Sequence, residues 1–480
     1  MLYFIGGVPI ELTLLAAGIR GGVLPPGPPL LDPAGNNSVE LTPEERADLR
    51  AFQSTGWQFL ASPDLDWAAV RDLNPGLHLF AGVLARQEGG GLVVVRDRLV
   101  ISLAGHDNQN AVLVRYLQVW PLGAGRFEVQ VPLPNQGLQL RIDDELAILA
   151  GKGVPAELSL LYHLGSPGEI NCDVDTAPQW QWDAIYLEKA WVAAGGHQGA
   201  GIRPAIIDLG FYLPDEVLWK TAWTARLSED GIYLGPDVPA DEHGTFCAAL
   251  IGGLSDGYNV NGVVPESELI LVAIPKEGVI SQVGLKRAIE LCFTGRDENG
   301  VERGAGADVI SCSLSAPSPI WPLTGPLLDA IGMALRKGRG NLGTPIVWAT
   351  RNIDALMQEK TVQAYPRLLT VSASNEDGDR VESEYGPGLD LIAPGIAVGG
   401  MSWNGDADFG YALGYGSSYA TACAAGVAAL IVAVRPDLGW ERVVDLVQDN
   451  ADRTNGWTPS VGWGRLNALA SVKAALIAKP

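Results

Sequence analysis

A chain of 480 residues is longer than one hydrophobic core usually serves, so two or three domains are expected. Apolar residues make up 47% of the chain and charged residues 18%, which excludes a largely disordered protein. The formal net charge of −22 repels phosphate groups and anionic lipids. We therefore expect neither a nucleic acid nor a membrane as a partner.

Signals for export and for disulfide formation are weak. Residues 1–23 lack a basic start, and Glu11 interrupts their apolar run, so this segment makes a poor signal peptide. No stretch reaches about 18 uninterrupted apolar residues, the length of a membrane-spanning helix. The five cysteines form an odd set without a CxxC pair, which indicates neither a disulfide framework nor a zinc site. The simplest expectation is a cytoplasmic protein, with an unusual secretion route left open.

The N-terminal part of the chain divides into two segments. Residues 1–88 form an extension of unknown role, within which Thr42, Pro43 and Glu45 predict a helix that starts with a capping box. Strand and helix periods then alternate as β-α-β-α-β over residues 89–166. That order predicts a small α+β domain.

The C-terminal part predicts a second architecture. Residues 167–179 are polar and rich in turn formers, and we place a linker there. Over residues 180–480, short apolar runs alternate with helical segments. This alternation predicts an α/β domain with a mainly parallel, doubly wound sheet.

Polar side chains at strand ends and helix starts in this domain are the candidates for chemistry, because such positions meet at one edge of a parallel sheet. Asp208 ends one strand, His243 begins a helix, Asn352 ends another strand and Ser418 begins the last long helix. Each alone also fits a structural role in a turn or a helix cap. Together they supply an acid, an imidazole, an amide and a hydroxyl, as a serine hydrolase requires.

The segments around these residues resemble a known family. The stretches IIDLG (206–210), HGTFCAALIGG (243–253) and GSSYATACAAG (416–426) resemble the aspartate, histidine and serine motifs of the subtilisin-like serine proteases, the subtilases of peptidase family S8. Flanking stretches, including DVISCSLS (308–315) and LDLIAPG (389–395), follow in the order of that family. The resemblance covers residues from about 180 to 475.

The resemblance implies a serine endopeptidase that works through an acyl-enzyme. Ser418 would be the nucleophile, His243 its general base, Asp208 the partner of the imidazole, and Asn352 a donor to the oxyanion. No cofactor would be required for catalysis. It also implies a substrate-binding set, which is Ser313, Leu314, Ser315, Ala349, Thr350 and Arg351.

Two departures from the family pattern concern the pocket for the residue that precedes the scissile bond. Arg351 stands where the family normally has Gly, and Ser315 replaces another common Gly. The Arg351 side chain could fill the pocket, point into solvent, or bind an acidic substrate side chain. We expect a preference for small or acidic side chains in this pocket. Ala422, in place of the usual Pro, removes no catalytic group.

Residues 89–166 lie where the family carries a propeptide, which implies that the chain's own N-terminal domain inhibits the protease. The C-terminal tail of this domain, which would block the cleft, would be residues 165–177. Cleavage in this tail would activate the protease, and we favour Asp173 or Asp175 as the residue before the cleaved bond. An ordinary accessory domain is the alternative. The acidic loop 374–379 could hold a structural calcium ion, although such clusters are also common turns.

Other functions remain open at this point. A catalytically silent relative that binds peptides or regulates a partner is the main alternative, and a serine esterase or peptide transferase with the same triad is another. The natural substrate, the activation trigger and the oligomeric state cannot be predicted from the sequence.

Overall fold

The computed structural model describes residues 2–5, 8–20, 24, 30–33, 39–62, 65–74, 80–106, 109–132, 138–164, 169–171, 179–213, 219–228, 231–255, 261–275, 278–297, 300–302, 304–403, 409–452 and 456–479. The strands are β1 (Leu2–Ile5), β2 (Val8–Arg20), β3 (Trp57–Phe59), β4 (Phe80–Gln87), β5 (Leu92–Ser102), β6 (Gln118–Gly123), β7 (Arg126–Gln130), β8 (Ala156–His163), β9 (Glu169–Asn171), β10 (Pro204–Asp208), β11 (Lys220–Ser228), β12 (Gly231–Leu234), β13 (Glu268–Ala273), β14 (Val279–Ile280), β15 (Val309–Cys312), β16 (Ile346–Ala349), β17 (Leu369–Ser374), β18 (Leu391–Pro394), β19 (Ile396–Trp403) and β20 (Phe409–Tyr415). The helices are α1 (Pro43–Ser54), α2 (Trp67–Leu73), α3 (Gln109–Leu113), α4 (Leu138–Gly151), α5 (Trp180–Ala184), α6 (Leu187–Ala193), α7 (Glu242–Gly252), α8 (Gln282–Thr294), α9 (Gly325–Asn341), α10 (Ser417–Val434), α11 (Trp440–Asp449) and α12 (Ala468–Ile477), with a short 3-10 helix at Val362–Ala364.

The chain divides into two compact units. The first contains residues 1–163, 277–283 and 317–329, and the second contains residues 164–276, 284–316 and 330–480. β4 and β5 pair across the predicted boundary at residue 88, so the N-terminal extension and the α+β segment share one sheet. The division into an extension at residues 1–88 and a domain at residues 89–166 stays a prediction.

The first unit is built on an antiparallel sheet. Its strand order is β1-β2-β4-β5-β7-β6, with β3 on β2, β8 on β5 and β14 on β8. Helix α1 begins as its capping box predicts, since the Thr42 side chain accepts from the Glu45 N–H and Glu45 accepts in return from the Thr42 N–H. The predicted strand-helix order of residues 89–166 is present, with β6 as an additional strand that the periodicity did not indicate.

The second unit confirms the predicted α/β class. Its eight-stranded sheet has the order β12-β11-β13-β10-β15-β16-β17-β18, and every pair except β11–β12 is parallel. β10 is first in the chain, and later strands lie on both of its sides. The chain therefore reverses direction across the sheet beside β10, and the carboxyl end of such a strand is where ligands bind in open α/β sheets.

Helix α10 lies in the core of this unit. It packs on β15, β16, β17 and β18, and its small and apolar side chains are almost all buried. Among the described residues it is the one helix long and apolar enough to cross a membrane, and burial against the sheet accounts for that composition. Cys312 and Cys423 are buried in this core, as their apolar surroundings predict.

A small antiparallel sheet completes the second unit. β20 pairs with β19 on one side and with β9 on the other. Gly416 follows β20 directly, and its N–H donates to the Gly395 carbonyl at 2.6 Å. β20 therefore runs straight into the start of α10.

Candidate active site

Asp208 and His243 form the centre of the site. Asp208 is the last residue of β10 and is fully buried, and its Oδ1 also accepts the Leu209 N–H at 2.8 Å. His243 lies in the first turn of α7, with its Nδ1 2.8 Å from Asp208 Oδ1. A carboxylate in this position holds the imidazole in one tautomer and leaves Nε2 available to accept a proton.

The start of α7 explains why His243 lies against the strand. The helix cap is Asp241, whose Oδ1 accepts the His243 N–H at 2.9 Å and the Gly244 N–H at 3.2 Å. A capping role for the His243 side chain is therefore excluded. At Gly244, a Cβ atom would lie 2.0 Å from the Gly210 carbonyl oxygen, so only glycine allows α7 to approach the loop after β10 this closely.

The charges around His243 favour its protonated form. Burial alone would lower the pKa of the imidazole, but the charge of Asp208, the hydrogen bond to it and the charge of Asp241 together raise that pKa above its ordinary value. Burial and the neighbouring Asp208 raise the pKa of Asp241 to about 6. The pocket thus stabilises an imidazolium, which is the form that a general base reaches during catalysis.

Ser418 occupies the second position of α10. Gly416 is the helix cap, and no side chain provides the cap hydrogen bond, so Ser418 does not have the capping role that its position also suggested. Ser418 Oγ and His243 Nε2 are both buried, and neither atom has a hydrogen-bond partner among the described residues. Nucleophile–base hydrogen bonds are often longer in enzymes without substrate than in the reacting complex.

Packing between α7 and α10 brings the histidine and the serine helix together. The ring of Tyr419, the residue after Ser418, lies 5.5 Å from the His243 ring and 4.7 Å from the Phe246 ring, between centroids. Ser313, after β15, also reaches this helix, because its Oγ donates to the Ser418 carbonyl at 3.3 Å. The first turn of α10 is therefore fixed from two sides.

Asn352 lies beside the same helix start. Its Oδ1 accepts the Ser417 N–H at 2.9 Å, and Ser417 Oγ donates to the Thr350 carbonyl at 2.6 Å. With its oxygen engaged in this way, the Asn352 amide has its NH₂ group as donor. A side-chain amide beside a nucleophile at a helix N-terminus is the arrangement of an oxyanion hole.

The predicted substrate-binding residues follow two adjacent strands of the parallel sheet. Ser313, Leu314 and Ser315 come after β15, and Ala349, Thr350 and Arg351 lie at the end of β16 or directly after it. β15 and β16 are neighbours, so both segments reach the same sheet edge as Asp208. All six residues are buried, and their binding role stays a prediction.

The solvent-facing orientation considered for Arg351 is wrong. Arg351 is 8% exposed, and its Nη2 and Nε lie 2.6 Å and 3.0 Å from Oε1 of Glu384. Glu384 is itself almost fully buried. A guanidinium is rarely buried unless a carboxylate neutralises it, and Glu384 supplies that partner here.

One group of potential metal ligands includes the Asp208–His243 pair. Among the described residues, Asp208, His243 and Cys247 are the group whose potential ligand atoms all lie within 4.8 Å. Burial and Asp208 raise the pKa of the Cys247 thiol well above its usual value, so the thiol stays protonated. In the acidic loop, the Asp379 N–H donates to Asn375 Oδ1 and the Asn375 N–H donates to the Asp379 carbonyl, which closes a turn. A calcium ion in this loop stays a prediction.

Sequence reasoning missed Asp241 and Glu384. Asp241 lies two residues before His243, and an Asp that precedes a helical run is a recognisable cap signal. Glu384 has no local signal, because its partner Arg351 is 33 positions away.

The tail region lies mostly outside the described residues. Among those not described are Cys172 and the two positions favoured before a cut, Asp173 and Asp175. Residues 169–171 are described as β9.

Comparisons with known proteins find proteases that are similar to this chain. A family model described as "Subtilase family" matches residues 228–464, a range that includes His243, Asn352 and Ser418 but not Asp208. A "Calcium-dependent protease" of Trichormus variabilis is 30% identical over 340 residues, which are 61% of this chain and 49% of that protein. The chain thus spans about half the length of this relative.

Two further matches extend over more of the chain. An "Alkaline protease" of Alkalihalobacillus alcalophilus is 27% identical over 413 residues, which cover 80% of this chain and 99% of that protein. The crystal structure of fervidolysin from Fervidobacterium pennivorans, described as a keratinolytic enzyme related to subtilisin, has a TM-score of 0.60 at 16% identity and covers 78% of this chain and 61% of that one. At that identity, the structural match establishes the fold alone.

Proposed function

The chain belongs to the subtilase family, and from this premise we propose that it is a serine endopeptidase that uses Asp208, His243 and Ser418. The observation that carries the proposal is the 2.8 Å contact between His243 Nδ1 and Asp208 Oδ1. His243 lies on α7, which packs against α10, the helix whose second residue is Ser418. A buried carboxylate–imidazole pair next to a serine at a helix N-terminus supplies a base, a nucleophile and N–H donors.

The proposed reaction proceeds through an acyl-enzyme. His243 Nε2 takes the proton of Ser418 Oγ while the oxygen bonds to the peptide carbonyl carbon, and the Ser418 N–H and the Asn352 amide donate to the oxyanion. The C–N bond then breaks as His243 gives its proton to the leaving amine. Water, activated by the same imidazole, hydrolyses the ester and restores Ser418. No cofactor enters these steps.

We propose further that the chain's own N-terminal region inhibits the protease before maturation. β8, the last strand of the N-terminal α+β segment, pairs with Val279–Ile280, which lies inside the residues matched by the family model. The alkaline protease match covers 80% of this chain, whereas residues 180–480 make up less than two thirds of the chain. The match must therefore extend N-terminal to residue 180. Both observations support a prodomain more than an unrelated accessory domain.

The pairing of β9 bears on where a cut would fall. Glu169 pairs with Tyr415 and Asn171 with Leu413 in an antiparallel ladder. Tyr415 is three residues before Ser418, a span of at most about 11 Å between Cα atoms. Since β20 runs toward Ser418, the antiparallel β9 runs away from it, so Glu169 is the β9 residue that pairs nearest to Ser418 along β20.

We therefore favour a cut N-terminal to Glu169 over one after Asp173 or Asp175. Glu169–Asn171 would then lie on the leaving-group side of the scissile bond, next to the strand that leads into α10. A segment held there by main-chain hydrogen bonds would also compete with the part of a substrate that follows its scissile bond.

The Arg351–Glu384 pair bears on specificity. Because Glu384 already engages the guanidinium, an acidic substrate side chain would have to compete with a buried carboxylate for it. We therefore propose a preference for small side chains in the pocket beside Ser315 and Arg351. Calcium as a structural ion is a proposal that rests on the relatives named calcium-dependent proteases.

The test of the function is a phosphonate probe combined with amide and ester substrates, applied to the protein and to Ser418→Ala. We expect labelling of Ser418 and hydrolysis of peptide amides, both lost in the variant. Labelling without amide hydrolysis would favour an esterase or transferase. Absence of both, in full-length and N-terminally processed protein, would favour the catalytically silent relative.

A further inference from the structure

The segment Thr350–Asn352 carries the proposed oxyanion donor, and hydrogen bonds from Ser417, the first residue of α10, hold it on one side. Ser417 Oγ donates to the Thr350 carbonyl at 2.6 Å, and the Ser417 N–H donates to Asn352 Oδ1 at 2.9 Å. These two bonds tie the segment to the residue directly before Ser418. The position of Asn352 relative to the nucleophile therefore depends on how this segment is supported on its other side.

Glu384 provides that support through four hydrogen bonds to one residue. Its Oε2 accepts the Arg351 backbone N–H at 3.1 Å, and its Oε1 accepts Arg351 Nε at 3.0 Å and Nη2 at 2.6 Å. The Glu384 backbone N–H donates in turn to the Arg351 carbonyl at 3.0 Å. Both backbone polar groups of Arg351 and its guanidinium are thus bound by Glu384.

Glu384 is itself fixed by a serine of β17. Ser372 Oγ donates to the Glu384 carbonyl at 2.5 Å and lies 2.9 Å from Thr350 Oγ. The contacts close a ring from Thr350 through Ser372 and Glu384 to Arg351. Every member is buried, so water competes little for these bonds and each is stronger than at a surface.

We propose that Glu384 is a positioning residue for catalysis, which acts through Arg351 to hold the Asn352 amide toward the oxyanion. The inference rests on the proposed protease function. It concerns this chain's own departure from the family pattern, because an Arg in place of Gly at residue 351 needs a buried carboxylate partner and the ring supplies one.

A purely structural role is the competing explanation, and it predicts a different pattern. If Glu384 only neutralises Arg351, its loss lowers stability and affects turnover to the same degree whether or not Asn352 is present. If Glu384 acts through Asn352, the loss of Glu384 lowers kcat only in proteins that still have the Asn352 amide. A double-mutant cycle separates the two.

The experiment measures kcat, KM and Tm for wild type, Glu384→Gln, Asn352→Ala and the double variant on a peptide amide substrate. Asn352→Ala should lower kcat by about 100-fold or more, as for loss of an oxyanion donor. Glu384→Gln should lower kcat by about 10-fold with little change in KM, because a misplaced donor is lost only in part. In the Asn352→Ala background, Glu384→Gln should cause no further loss. Glu302→Gln, which breaks the exposed Arg296–Glu302 pair, is the matched control and should leave kcat unchanged.

Equal losses of kcat from Glu384→Gln in both backgrounds would overturn the positioning role. If Glu384→Gln does not fold, Arg351→Lys replaces it in the cycle, since lysine keeps the charge but not the planar fork. An unmodified protein that neither hydrolyses the substrate nor reacts with a phosphonate would instead overturn the protease function, and the inference with it.

Discussion

The imidazole Nδ1 of His243 lies 2.8 Å from Oδ1 of Asp208, although the two residues are 35 positions apart in the chain. β10 ends at Asp208 beside the point where the sheet reverses its strand order, and Gly244 lets α7 approach that point. The contact is therefore a product of sheet topology and of one glycine.

Asp208→Asn should reduce kcat by about 10,000-fold, because an amide in this place favours the wrong imidazole tautomer. The fold should persist, since the asparagine oxygen can still accept the Leu209 N–H that Asp208 accepts at 2.8 Å. Steady-state kinetics with a peptide amide, together with Tm, measure both effects. A variant within 10-fold of the unmodified activity would show that Asp208 is not the partner of the catalytic base.

Asp241→Asn should shift the acid limb of the kcat/KM profile to lower pH. His243 must be neutral to act as a base, and the charge of Asp241 is one of the causes that raise the imidazole pKa. The pKa of Asp241 is itself about 6, so its charge is present where the limb is measured. A limb that stays in place or moves upward would contradict this electrostatic assignment.

Asp241→Ala separates the charge from the helix cap. Asparagine keeps the oxygen that accepts the His243 and Gly244 N–H groups, whereas alanine removes it. The alanine variant should therefore lose about 1 kcal/mol more of unfolding free energy than the asparagine variant. Denaturant unfolding measures the difference, and equal stabilities would mean that the cap contributes nothing.

Gly244→Ala should abolish activity with a clear loss of stability. The added Cβ would lie 2.0 Å from the Gly210 carbonyl oxygen, so α7 or the loop after β10 must move and the His243–Asp208 contact must lengthen. Gly195→Ala would be the wrong control, because Gly195 has a positive φ. Gly151→Ala is suitable, since its Cβ would meet no atom within 4 Å and should be tolerated.

Peptide substrates should be cleaved faster with Ala than with Phe before the scissile bond. Ser315 and the paired Arg351 both replace the family's smaller glycine, so less room is expected for a ring. The ratio of kcat/KM values for two peptides that differ only at this residue measures the preference. Equal values for Ala and Phe would refute the narrowed pocket, and a clear preference for Asp would show that substrate competes with Glu384 for Arg351.

The four proposed catalytic residues could be identified from the sequence because each lies next to a pattern with a local period. Asp208 ends an apolar strand and Asn352 follows another by three residues, while His243 and Ser418 are the second residues of apolar helices. The carboxyl ends of neighbouring parallel strands must meet, which made such positions candidates, and the resemblance of the surrounding segments to the subtilase motifs selected these four residues. Their catalytic roles stay predictions that the experiments above address.

The residues that sequence reasoning missed depend on contacts without a local signal. β9 has three residues, too few to show an alternating pattern, and its partner β20 lies more than 230 positions away. Glu384 lies in a charged loop segment, which in the sequence is typical of an exposed surface loop. Its burial is explained only by the ion pair with Arg351. The long strand β2 was not recognised either, because its apolar second half, LLAAGI, fits a helix as well as a strand.

The most direct test is intact mass and N-terminal sequencing of the purified protein beside Ser418→Ala, with phosphonate labelling of both. The account predicts that only the unmodified protein loses an N-terminal piece, that its new N-terminus lies at or before Glu169, and that Ser418 carries the phosphonate. Two proteins that both keep their full length, with no adduct on Ser418, would contradict the central claim. A new N-terminus beyond Asn171 would contradict the proposed orientation of β9 toward the nucleophile.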